Sequence, residues 1–354
     1  MVHLISFFFK EDFFCAWCNL SLNMLSVPQT EVYTYEKIVI FISCCFSFLG
    51  SSLIIGTHFW WPDLRTRARQ LLVYLSLADL LSALSYSYGV LRDFQSSSWD
   101  CVLQGAVSTF ANTSSFFWTV AIALYLYIII VRSEQTLADS LVSWFHAVSW
   151  FVPLVITVAA VSLQKIGYDA SDVSVGWCWV SIQAEDHVLW MLLTGKIWEF
   201  IAYITLPTLY ILIKKHIYRA HEALSEYRPI LASSSSRHTR SSIADRKLTI
   251  IPIIFIFLRI WSTVRFILTL CNSPAVKNGM LVILHGIGNT FQGAANCIIF
   301  VLCTQVVRTR LVSCLCSCFK YEIDLTPHKA TVNNDREAVS RQNAEMIPSY
   351  VTEE

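Results

Sequence analysis

Charge is scarce in this chain: Asp, Glu, Lys and Arg make up only 14% of its 354 residues, against about 25% in a soluble domain. No Gly-rich loop is present to cradle a phosphate, no Cys/His spacing suits a zinc site, and no nucleophile elbow stands between a strand and a helix. Nucleotide hydrolysis, a structural or catalytic metal and serine-type hydrolysis are therefore not expected, nor is any cofactor. The formal net charge of +1 says little by itself, because the cations are distributed by sidedness; no nucleic-acid partner is expected. What fills the space is apolar. Hydrophobic residues reach 55% and mean hydropathy is +0.53, which places the protein in a membrane.

Seven apolar segments follow a short N-terminal stretch: Ile38–Trp60, Leu71–Leu91, Val102–Val131, Leu141–Leu163, Val188–Ile213, Thr249–Leu270 and Met280–Val301. Each supplies about 20 residues of helix, enough to cross about 30 Å of hydrocarbon. Of the 26 lysines and arginines, eighteen fall in alternate connections that include the C-terminal tail. They include Arg65, Arg67, Arg69, Arg132, Lys214 and Lys215. Five fall on the other side. The positive-inside rule then puts the N-terminus outside and the C-terminus in the cytosol. The expected fold is all-α, a seven-transmembrane-helix bundle. Its parts are an extracellular segment 1–36, the bundle 37–304, an amphipathic membrane-surface helix 305–319 and a disordered tail 320–354. Within the first segment, His3–Phe9 runs straight into Lys10, Glu11 and Asp12 with no suitable cleavage site, so no signal peptide is expected. Asn19 opens a glycosylation sequon on the expected outer side.

The third segment is the axis. Val102–Val131 is free of charge over about 45 Å of helix, yet carries Gln104, Ser108, Thr109, Asn112, Thr113, Ser114 and Ser115. Polar groups at membrane depth need protein or water partners, so this helix belongs at the centre of the bundle. Cys101 lies at its outer mouth and Cys178 in the outer loop Gln164–His187. Both face an oxidising compartment, and a bridge between them would tie the loop over the bundle.

An odd number of spans without resembling halves argues against an inverted-repeat transporter. No selectivity filter suggests a channel, and the last span has no lysine for a retinal Schiff base. A receptor is left as the leading class.

Specific motifs agree. Phe116-Phe117-Trp118 and Leu124-Tyr125-Leu126-Tyr127 stand in segment three, Ser149-Trp150-Phe151-Val152-Pro153 in segment four, Cys178-Trp179 in the loop and Phe291-Gln292-Gly293 in segment seven. Together they resemble the secretin-like and cyclic-AMP-receptor-like branch of the G-protein-coupled receptors over about Glu36–Arg310. That resemblance implies an extracellular ligand, a heterotrimeric G protein as partner and a plasma-membrane location, with no enzymatic activity. Departures are also present. Leu75-Ser76-Leu77-Ala78-Asp79 looks rhodopsin-like, segment three ends Ile130-Val131-Arg132-Ser133 in place of Asp/Glu-Arg-Tyr, and segment seven lacks Asn-Pro-x-x-Tyr. The large hormone-binding ectodomain of secretin receptors has no counterpart in the short N-terminal stretch, so ligand class is not inherited.

Ionisable groups at membrane depth are costly and point to function. Lys196 and Glu199 share a helical face three residues apart; either they neutralise each other or one meets a polar ligand. Arg259 sits near mid-membrane, Arg265 nearer the outside, and an ionic contact from Arg259 to Glu199 is one candidate switch. Segment seven carries a polar stripe of His285, Asn289, Gln292 and Asn296. The outer pair joins Trp118, Trp179, Lys196, Glu199 and Arg265 as ligand-pocket candidates. The inner pair joins Asp79 and Arg259 as an activation network. Arg65, Arg67, Arg69, Tyr125, Arg132, Lys214 and Lys215 face the expected G-protein side, where anionic lipid is a second use for the cations. Cys314, Cys316 and Cys318 follow an amphipathic run and suit S-palmitoylation. A transporter or lipid-handling protein using Lys196, Glu199 and Arg259 along a path is the alternative reading.

Overall fold

Backbone N–H and C=O groups in hydrocarbon must be satisfied within the segment, so long apolar runs fold as helices. The computed structural model describes residues 32–92, 94, 96–168, 174–181, 183–226, 254–271, 273–302 and 304–314. Helix α1 is Thr34–Trp60, α2 Arg67–Leu91 and α3 Trp99–Tyr127, which continues as a π turn, Ile128–Arg132. Helix α4 spans Gln135–Ser162. Helix α5 runs from His187 through a π turn at Leu192–Lys196 into Ile197–Glu226. The helix over 254–270 is α6, and α7 is Gly279–Thr290 resumed as Gln292–Cys297. Among the described residues, α1 to α5 are each long and apolar enough to cross a membrane. The described part of α6 is shorter, and α7 is interrupted at Phe291, whose φ of −87° and ψ of 1° break the helical path. Helix α5 outruns its apolar segment and reaches Glu226.

Local chemistry sets the ends. Glu36 Oε2 accepts from the Tyr33 N–H at 2.9 Å and starts α1. At the other end Pro62 opens a short 3-10 turn, and Arg65 donates to the last carbonyls of α1, His58 at 3.0 Å and Phe59 at 2.8 Å, as cations do at helix C-termini. Thr66 caps α2 by accepting from the Arg69 N–H at 3.2 Å. Pro153 lacks an N–H and its ring crowds the preceding turn; a π turn at Ala147–Phe151 lies immediately before it. Helix α3 ends at Ser133, held at φ 55°.

Helix α3 packs on α2, α4 and α5. Gln104, Ser108, Thr109, Thr113, Ser114 and Ser115 are all buried. Thr113 donates to the Thr194 carbonyl at 2.9 Å, a group within the π turn of α5. The outward faces are apolar: Ile38, Ile42, Phe46 and Leu49 on α1, Leu154, Val155 and Val158 on α4, and Ile204 on α5 are exposed. Apolar surface on this extent suits lipid. A two-stranded hairpin, β1 Ile166–Gly167 against β2 Trp179–Val180, carries the outer loop. Gly105 lets it approach α3, because a Cβ there would stand 2.7 Å from the Ile166 side chain.

The chain divides into two units, at Thr304 and Gln305. Of the second, helix α8 (Gln305–Cys314) is described; it mixes Val306, Leu311 and Val312 with Arg308 and Arg310. Asn19, Cys316 and Cys318 lie outside the described residues.

Candidate functional site

The Cys101–Cys178 disulfide is formed, with Cα atoms 5.5 Å apart. Three residues further along α3, Gln104 accepts from the Cys178 N–H at 2.8 Å and is itself braced by Ser85. The loop thus has a covalent and a hydrogen-bonded anchor one helical turn apart. It enters the bundle as a plug. Val175 and Cys178 are wholly buried, and Trp177, 4% exposed, packs on Tyr86 at 4.6 Å between ring centres and edge-on to His285 at 5.9 Å.

Beneath this plug lies a cavity of about 30 Å³. Its walls include Trp179, Lys196, Glu199, His285 and Asn289, with Thr109 and Asn112 from α3. Five of the seven residues that the sequence marks as pocket candidates therefore converge. The other two do not line it. Arg265 stands behind, donating to the Ser174 carbonyl at 2.8 Å and reaching His285 Nδ1 at 3.0 Å. Trp118 faces away, packed against Tyr74, His146 and Trp150 at 5.2, 4.9 and 5.7 Å.

Lys196 and Glu199 do neutralise each other, at 2.9 Å and almost fully buried. Glu199 also accepts from Tyr203 at 2.6 Å and from Thr263 on α6, and Lys196 donates to Ser262. The expected ionic contact between Arg259 and Glu199 is not formed. Three donors already surround that carboxylate, and Arg259 turns to α7, donating to Asn289 Oδ1 at 3.2 Å while its guanidinium lies 4.7 Å over the Phe116 ring. Its Nε has no hydrogen-bond partner among the described residues. Gly288 makes this approach feasible, since a Cβ there would run into the Leu258 carbonyl.

Deeper in, Asp79 accepts from Ser115 at 2.7 Å and from Asn296 at 2.8 Å, and Gln292 donates to Asn296 at 3.3 Å. Helices α2, α3 and α7 are joined by one carboxylate. A second cavity, about 20 Å³, adjoins Gln292 and Asn296 and is closed by Thr119, Tyr210 and Phe255.

At the inner face the predicted cations divide. Arg65 caps α1, and Arg69 donates to Thr57 at 2.8 Å; both serve the α1–α2 corner. Arg67 meets Gln70 at 3.2 Å. Tyr125 is buried and donates to Asp139 on α4 at 3.2 Å. Arg132, 4.0 Å from Glu134, and Lys214 and Lys215 are exposed. Sequence reading marked Gln104 only as a polar group in need of a partner and missed Trp177, Tyr203, Thr263 and Asp139. A positional signal existed for three: Gln104 lies three residues from Cys101, Tyr203 four from Glu199 and Thr263 four from Arg259, each on its neighbour's helical face. Trp177 and Asp139 act across the fold, where spacing is silent.

Comparison with known proteins agrees with this architecture. The slime mold cyclic AMP receptor family matches residues 27–336. The chain belongs to this cyclic AMP receptor family of G-protein-coupled receptors. It is 62% identical over 324 residues to G-protein coupled receptor 157 of Mus musculus, covering 91% of this chain and 98% of that protein. It is 68% identical over 289 residues to G-protein coupled receptor 157 of Homo sapiens, covering 81% and 86%. Cyclic AMP receptor-like protein A of Dictyostelium discoideum is 28% identical over 161 residues, 46% of this chain and 41% of that protein. These matches favour a multi-pass receptor over the transporter reading.

Proposed function

We propose that the protein works at the plasma membrane, taking an extracellular ligand into the cavity beneath the Cys101–Cys178 loop and activating a heterotrimeric G protein on the cytosolic side, without enzymatic activity of its own. The observation that carries this reading is the convergence of Lys196, Glu199, His285 and Asn289 on one cavity under a tethered loop. A path leads inward from it. Asn289 holds Arg259, Arg259 lies over Phe116, and the adjacent Ser115 holds Asp79. A ligand that prefers one arrangement of this path shifts the bundle toward it. Arg132, Lys214 and Lys215 then meet the G protein where the inner ends of α3 and α5 are exposed. Residues 1–36 serve as a short extracellular segment glycosylated at Asn19. Residues 305–319 lie on the inner leaflet, acylated at Cys314, Cys316 and Cys318, and 320–354 form a cytosolic tail.

The test is complex formation. Full-length protein in lipid nanodiscs, mixed with each G-protein family in nucleotide-free buffer, is expected to co-elute with one family and to release it on addition of a GTP analogue. Co-elution with none, in protein whose folded state is verified by a cooperative melt, would overturn the reading.

A further inference from the structure

His285 and Asn289 link two arginines, and the chain of contacts does not balance. Arg265 Nη1 meets His285 Nδ1 at 3.0 Å, His285 Nε2 meets Asn289 Nδ2 at 3.0 Å, and Arg259 Nη1 donates to Asn289 Oδ1 at 3.2 Å. An arginine only donates. A neutral imidazole has one donor and one acceptor, and so, along this line, has the amide. If His285 Nδ1 accepts from Arg265, then Nε2 carries the hydrogen and faces the Asn289 NH2, donor against donor. Moving the proton to Nδ1 sets it against Arg265. Flipping the amide sets its NH2 against Arg259. Protonating the ring makes the shortage larger. Every assignment leaves one of the three links without an acceptor. Inside a membrane-embedded bundle that is an expensive arrangement.

With the proton on Nε2 the unmatched pair is His285 Nε2–H and the Asn289 NH2, and both residues line the cavity. A separate observation on the opposite wall points the same way. Thr109 is 3% exposed and its hydroxyl has no partner among the described residues, and neither has Asn112 Oδ1; both residues line the same space, one offering a donor and the other an acceptor. Arg259, 2% exposed, has no carboxylate within ion-pair distance among the described residues, so negative charge entering nearby is favoured. Glu199 is paired with Lys196 and also accepts from Tyr203 and Thr263, which weakens its attraction for a further ammonium group.

We propose that this cavity is a carboxylate site: one oxygen of a small carboxylate accepts from both His285 Nε2–H and Asn289 Nδ2–H, and the other accepts from Thr109. With the carboxylate in place the His285, Asn289 and Thr109 donors have acceptors, and Asn112 Oδ1 is left for a donor group elsewhere on the ligand. A cavity of about 30 Å³ receives a group of a few heavy atoms, which favours a carboxylate over a whole cyclic nucleotide. The inference rests on the ligand-cavity half of the proposed function and is independent of G-protein coupling.

Replacing Asn289 by Asp supplies the missing acceptor from the protein itself. The Asp carboxylate takes the His285 and Arg259 donors together, so N289D mimics the occupied site. The experiment is thermal unfolding of full-length protein in nanodiscs with sodium acetate, lactate, glycine, inorganic phosphate or cyclic AMP, sodium chloride balancing ionic strength. At saturating acetate, lactate or glycine the wild-type Tm should rise by about 3 °C. N289D without ligand should melt above wild type and gain nothing from any of them. No shift from any carboxylate, a shift only from phosphate or cyclic AMP, or an equal shift in N289D would overturn the proposal. Because the readout is unfolding, a failure here is distinguishable from a failure to bind G protein.

Discussion

A buried ion pair stabilises less by existing than it costs to break, because desolvating two charges nearly cancels their attraction. Lys196 and Glu199 should show this directly. Glu199→Gln leaves a buried ammonium with its main partner gone and is expected to cost about 3–5 kcal/mol. Lys196→Met with Glu199→Gln together should cost less than the sum of the single changes. Unfolding of the three variants in nanodiscs gives the coupling energy, and strict additivity would contradict the pairing. Asp79 makes a different prediction. It accepts from Ser115 and Asn296, so Asp79→Asn sets an NH2 against one of two donors, at about 1–3 kcal/mol. Loosening that tie between α2, α3 and α7 should raise ligand-independent nucleotide exchange while lowering Tm. Unchanged exchange would remove Asp79 from the activation path.

Where helices meet, backbone proximity decides. Helices α6 and α7 approach at Leu258 and Gly288 so closely that no side chain fits. Gly288→Ala is expected to abolish folding or strip Arg259 from Asn289. Gly195→Ala is the control, because its new Cβ would meet only the Trp179 ring edge at 3.3 Å and should melt within a degree or so of wild type. The loop gives a second prediction. Cys178→Ser opens a bridge spanning 77 residues, which on loop-closure grounds costs about 2–5 kcal/mol, and it frees Trp177 from above the cavity. A fall in Tm together with loss of every ligand-induced shift is expected. A fall in Tm alone would mean that the loop supports the fold without shaping the cavity.

The helices were legible in the sequence because a membrane forces each span to satisfy its own backbone, and apolar length reports that requirement. Cation sidedness gives the expected orientation on a separate ground, the excess of Lys and Arg in cytosolic loops. The candidate cavity was half legible. Lys196, Glu199, His285 and Asn289 stood out because charge and polarity are conspicuous in apolar runs, but partner choice was not. Arg259 meets Asn289 while Lys196, Tyr203 and Thr263 surround Glu199, a fact of three helices that one helix's spacing does not contain. Trp118 carried a family pattern, yet its ring faces α2 and α4, away from the cavity. Burial alone cannot separate a helix seam from a pocket wall.

At the scale of the whole molecule, the proposed function couples the cavity beneath the loop to the cytosolic face through the buried contacts from Asn289 to Asp79, and that coupling is the central claim. The direct measurement is GTP-analogue uptake by each G-protein family on full-length protein in nanodiscs, comparing wild type with Asp79→Asn and with Lys214→Glu/Lys215→Glu. The account predicts that wild type accelerates uptake by one family. The lysine reversals should abolish that acceleration without moving Tm, and the Asp79 substitution should change its rate from within the membrane, well away from the cytosolic lysines. Uptake that no family accelerates in folded wild type and Asp79→Asn alike, or acceleration that survives the lysine reversals and ignores Asp79, would contradict it.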